Sequence, residues 1–153
     1  MDTFVNDKFY ATRNQLVEEI SLLSDAQFNR KPDKDKWSIA QVCHHLVLLD
    51  ERVITVISSG LKKLDSTQNE RKEIHTILLD RTKKFIAPEI IEPSIEPFEV
   101  EQMLNMLSKS RKELMHPALG ELPLNQWIEL IYLHEQRHIS QIKEIKLLCE
   151  IEK

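Results

Sequence analysis

Apolar residues along the 153-residue chain recur mostly three and four positions apart, the spacing that lines one face of an α-helix. A first helix is predicted from about Asp2 to Leu23, with Leu16, Ile20 and Leu23 on one stripe. A polar stretch rich in helix breakers, SDAQFNRKPDKDKW, follows and ends at Trp37. Ser38 and Gln41 then read as a capping box, serine at the N-cap and glutamine three residues on. They open a second helix to about Leu64, whose stripe is Ile39, Val42, His45/Leu46, Leu49, Val53 and Val56. A third helix is expected over roughly Asn69 to Ile86. The segment APEIIEPSIEP carries Pro88, Pro93 and Pro97 and reads as an extended connection, because proline cannot sit in a helix interior. Pro97 suits the first turn of a fourth helix that reaches about Met115 and buries Val100, Met103, Leu104, Leu107 and Leu114. His116-Pro117 stops it, and a loop leads into a last helix from about Leu124 to Glu150. One face of that helix carries Trp127, Ile131, His134, His138, Ile142, Ile145 and Leu148. No stretch alternates with the period of a strand. Four long helices and a shorter one predict an all-α antiparallel four-helix bundle, a single domain over residues 1–153.

Composition narrows the function. A net charge of −4 offers no electrostatic footprint for nucleic acid or an anionic membrane. The short basic clusters, Arg81 to Lys84 and Lys109 to Lys112, read as solvated helix faces. No apolar run approaches the roughly 20 residues that span a bilayer, and MDTFVNDKFY has neither the basic start nor the apolar run of a signal peptide. Two cysteines, Cys43 and Cys149, are too few for a disulfide framework and suit a reducing cytosol, so a cytoplasmic location is expected. Cys43 falls in an apolar helical stretch, where packing is its expected role. Only two glycines occur, which excludes phosphate loops, dinucleotide fingerprints and nucleophile elbows, since each needs several close together.

The chemistry concentrates in HEQRH, residues 134–138. Residues four apart on a helix stand on one face a turn apart, so His134 and His138 can hold one cation together. The pattern matches that of zinc metalloproteases, but such an enzyme needs a third ligand downstream. Only fifteen residues follow His138, all in the same predicted helix, and none of their carboxylates can fold back onto the ion. No sheet edge is available to pair with a peptide substrate. The protease reading fails. A third ligand has to come from another helix, and His45 is the best placed, because it occupies a core position in the second stripe. His44 is turned about 100° away, His75 stands on a weaker helix, and His116, in a loop, is a weaker candidate for the rim of the site. On spacing alone, ligation and ordinary buried histidines both remain open. Glu135 suits a supporting or solvent-facing position as much as a general base, and Gln141 either orients a ligand or packs.

The pieces WSIAQVCHHL and HPALGELPLNQWIELIYLHEQRHISQI resemble the two signature regions of the DinB/YfiT-like family of helical-bundle metal proteins, in order and spacing over nearly the whole chain. The resemblance implies an up-down-down-up four-helix bundle that binds a divalent metal through three histidines, here His45, His134 and His138. Zinc or nickel is the expected metal. Relatives include thiol S-transferases that use bacillithiol or mycothiol, an isomerase of a maleylpyruvate-type substrate, and proteins described as metal-dependent hydrolases. The resemblance therefore implies a small-molecule substrate, with a low-molecular-weight thiol as one partner, and a homodimer. A non-catalytic bundle with a structural metal and a ligand- or partner-binding role is the alternative. Nothing in the residues selects one reaction.

Overall fold

The computed structural model describes residues 3–58, 89–114 and 125–152. Among them are five α-helices and no strand: α1 (Thr3–Ile20), α2 (Asp25–Asn29), α3 (Ile39–Ser58), α4 (Val100–Leu114) and α5 (Asn125–Leu148), with a 3-10 turn at Glu89–Ile91. The architecture is the all-α bundle that the periodicity predicts. The expected third helix, the end of the second beyond Ser58, and His75 and His116 lie outside the described residues.

Local chemistry explains where the helices begin and end. Ser38 Oγ accepts the Gln41 N–H at 3.1 Å, and Gln41 Oε1 accepts the Ser38 N–H at 3.0 Å, closing the box that starts α3. The same arrangement recurs at Ser24 and Gln27 and starts α2. That short helix stands in the stretch read above as breaker-rich. Its role is to anchor its neighbour. Asp25 Oδ1 accepts the N–H of Val100 at the start of α4, and the Asn29 amide bonds both backbone groups of Phe98. The fourth helix thus begins at Val100 rather than at Pro97. At the far end of α5, Glu150 takes a positive φ of 55°. Its neighbour Ile151 donates back to Lys146 O at 2.8 Å, and Glu150 donates to Leu147 O at 3.2 Å, a Schellman ending without glycine. Ile151, 8 % exposed, supplies the apolar contact that accompanies such an ending.

Helix α1 packs on α5, and α3 packs on both α4 and α5. The contacts Arg13–Glu135 and Glu19–Lys146 advance along both chains together, so α1 and α5 run in the same direction. The main apolar cluster joins Leu16, Ile20, Phe28, Ile39, Val42, Cys43, Met103, Leu107, Ile142 and Ile145. A smaller cluster around Phe9, Val53, Leu114, Ile128 and Leu133 fills the other end. Each such fully buried side chain contributes about 1.5–3 kcal/mol. The predicted stripes hold for most of their described members. Leu23, Leu49, Leu104 and His134 are half-buried, and Leu148, in the last turn of α5, is 58 % exposed. Both cysteines are free and buried, and burial pushes the Cys43 thiol far above its ordinary range, so it is not a nucleophile. No helix among the described residues is long and apolar enough to cross a membrane.

Candidate metal centre

His45 sits on the inner face of α3, between Val42 and Leu46, and is 3 % exposed. Its ring lies 5.2 Å from that of Trp37, centroid to centroid. Its Nδ1–H donates to Ile91 O at 2.8 Å, so the proline-punctuated connection fixes the tautomer and leaves Nε2 as a lone pair. Across the interior, α5 presents His134 and His138 one turn apart. The three rings pack in a triangle with centroid separations of 5.3, 4.8 and 4.5 Å. One nitrogen from each histidine lies within 4.8 Å of the other two.

The donor set fits a metal ion. His134 Nε2 and His138 Nε2 are 3.2 Å apart. Two nitrogens bound tetrahedrally to one zinc at 2.0–2.1 Å would stand about 3.3 Å apart. The His138 Nδ1–H donates to Gln141 Oε1 at 2.7 Å, which again directs the Nε2 lone pair inward. Gln141 therefore orients a ring, one of the two roles left open by the sequence. His134 Nδ1 is buried without a hydrogen-bond partner among the described residues. With His45 and His138 both presenting lone pairs, no placement of the His134 proton satisfies both of its nitrogens. Burial, and then the proximity of His45 and Arg137, push the His134 pKa down to about 3. Burial also lowers His45, against the opposing Ile91 hydrogen bond. Neutral imidazole is the form that binds metal.

His44 takes no part. Its Nδ1 accepts the Ser94 N–H at 2.9 Å and its ring packs 4.8 Å from that of Phe98, which is the outward placement its position in α3 predicts.

Of the three positions the sequence left open for Glu135, the structure favours the supporting one. It is 1 % exposed and faces neither solvent nor the histidines' nitrogens. Oε1 accepts from Arg13 Nε at 2.5 Å and Oε2 from Arg111 Nη2 at 2.8 Å. With both oxygens committed to guanidiniums, it is not placed to act as a general base. Asp50 joins the same group through Arg13 Nη2 at 3.2 Å and Ser110 Oγ at 3.0 Å. Arg111, read from the sequence as part of a solvated basic face, is instead buried at 6 % exposure. Burial lowers its pKa despite the carboxylates. For Arg13 the same burial is outweighed by its closer contacts with Glu135 and Asp50, and its pKa rises.

A helical bundle whose interior gathers three histidines from two helices could hold a divalent ion while leaving ligand positions free. The sequence profile of the DinB superfamily matches residues 8–142, and the chain belongs to that superfamily. The chain is also 32% identical, over 154 aligned residues, to the uncharacterized protein YuaE of Bacillus subtilis strain 168. That similarity covers 90% of this chain and 94% of YuaE. No solved structure matches the chain.

Proposed function

We propose that the protein is a metal-dependent enzyme acting on small molecules, with zinc or nickel bound by His45, His134 and His138. The observation that carries the reading is the convergence of these three side chains, two of them with Nδ1–H tied to an acceptor so that Nε2 turns inward. A divalent ion on three neutral imidazoles keeps positions for exogenous ligands and lowers the pKa of a water or thiol placed there toward neutrality. The chain's own contribution is orientation and exclusion of water. Ile91 O and Gln141 Oε1 hold two rings in one tautomer, while Trp37 and the burial of His45 keep solvent from one side. Thiol transfer to a small electrophile is placed ahead of hydrolysis, on the strength of the chemistry known among similar proteins. We place the protein in the cytoplasm and assign it a homodimeric state, which sedimentation at micromolar concentration tests.

The direct experiment is metal analysis of the purified protein, followed by a screen of low-molecular-weight thiols against small electrophiles and of ester and amide substrates for hydrolysis. Bound zinc or nickel with metal-dependent turnover supports the reading. Bound metal with no turnover across the screen favours a structural centre, and protein that takes up no metal refutes both.

A further inference from the structure

The interior holds a second polar cluster that metal ligation does not use. Each of the four long helices among the described residues contributes one charged residue: Arg13 from α1, Asp50 from α3, Arg111 from α4 and Glu135 from α5, none more than 7 % exposed. Their distribution is uneven in a telling way. Both carboxylates stand on α3 and α5, the helices that carry the histidines, and both guanidiniums stand on the other two. Like charges cannot hold α3 to α5, so each arginine spans the pair. Arg13 reaches Glu135 through Nε at 2.5 Å and Asp50 through Nη2 at 3.2 Å. Arg111 reaches Glu135 through Nη2 at 2.8 Å, and its Nε stands 3.7 Å from Asp50 Oδ2. Arg13 Nη1 also donates to Leu107 O at 2.8 Å, and the Arg111 guanidinium lies 3.9 Å over the Phe9 ring, so all four helices are engaged.

We propose that this ionic ring positions the metal centre by fixing the rotation and axial register of α5 against α3. The inference rests on the metal reading above. Glu135 directly follows His134, and Asp50 follows His45 by five residues on α3, so the ring and the histidines share two short stretches of helix. Apolar stripes hold helices together but discriminate weakly against sliding. Charge-assisted hydrogen bonds to guanidinium are directional, and a slip of one residue, about 1.5 Å along the axis, would break several at once. A metal site needs its ligands placed within about 0.5 Å, a tolerance that the ring imposes and the stripes alone do not. Buried ion networks add little net stability, and fixing register is their best-attested use. The two positive and two negative charges also sum to zero, so the bundle buries no net charge here.

The test compares cobalt(II) binding by the metal-free wild type with that of Glu135→Gln and Asp50→Asn, two near-isosteric changes that each delete one charge. Phe28→Ala, a core substitution on α2 outside the ring, is the comparator for loss of stability alone. Each protein is titrated under conditions where circular dichroism shows it folded. The cobalt visible bands report geometry, and the titration reports affinity. We expect the ring variants to bind cobalt about tenfold more weakly or worse, with shifted bands, on the scale of supporting groups around metals. Phe28→Ala should stay within about twofold of wild type, with unshifted bands. If either folded ring variant keeps wild-type affinity and spectrum, or if Phe28→Ala loses as much, the ring has no positioning role. A wild type that binds no cobalt removes the metal reading and the ring proposal together, whereas a binding wild type with unaffected variants removes the ring proposal alone.

Discussion

Two polar clusters share helices α3 and α5, and they solve burial in opposite ways. In the ring of Arg13, Asp50, Arg111 and Glu135, guanidiniums meet carboxylates and the charges cancel within the protein. In the triangle of His45, His134 and His138, neutral rings turn nitrogen lone pairs toward one another, with two Nε2 atoms at 3.2 Å. The first balances its charges with the chain's own atoms, although Arg111 Nε and Nη1 find no hydrogen-bond partner among the described residues. The second has the donor chemistry of a cation site. Burying polar groups without partners is costly; the ring offsets that cost with opposite charges, whereas the triangle would offset it by holding a cation.

Substitutions can set the two clusters against each other. His138→Ala should bring the metal content of purified protein to background, measured by elemental analysis, while lowering metal-free stability only by an ordinary core-truncation cost of about 1–2 kcal/mol. Glu135→Ala should do the reverse in scale. It strands two buried guanidiniums and should cost about 3–5 kcal/mol in urea denaturation, since removing one partner of a buried ion network leaves an uncompensated charge. Equal stability losses for the two variants would erase the distinction drawn here. Gln141→Ala removes the acceptor for His138 Nδ1–H and should weaken metal binding about tenfold by calorimetry. The smallest effect is expected from Ser24→Ala, which opens the α2 capping box at a cost of about 1 kcal/mol and leaves metal affinity unchanged.

The two clusters also differ in how far the sequence reveals them. His134 and His138 declare themselves by i,i+4 spacing inside an apolar stripe, and His45 by standing where Leu or Val would be expected. The ring has no such signature. Its members are as far apart as Arg13 and Glu135, separated by 122 positions, and each alone is an unremarked charge in a chain that is 30% charged. Arg111 was further disguised by its neighbours Lys109 and Lys112, which are exposed as expected. Only the packing of four helices brings the charges together. Helix α2 shows a different obstacle. Ser24 and Gln27 repeat the Ser38–Gln41 signal, but Pro32 and the charges around it obscure a helix of five residues. Leu148 failed for a geometric reason: Cys149, not Leu148, takes the next inward position after Ile142 and Ile145, and Leu148, about 100° away on the helix, meets solvent.

The burial of Cys43 and Cys149 gives the protein a built-in clock. Both thiols are at most 2 % exposed, and Cys43 is held firmly in its protonated form, so an alkylating reagent reaches it only when the main core opens. The rate at which Cys43 is modified, followed by mass spectrometry, therefore counts core openings. Loading the centre with metal should slow that count, because an ion that binds only the closed bundle draws the population toward it.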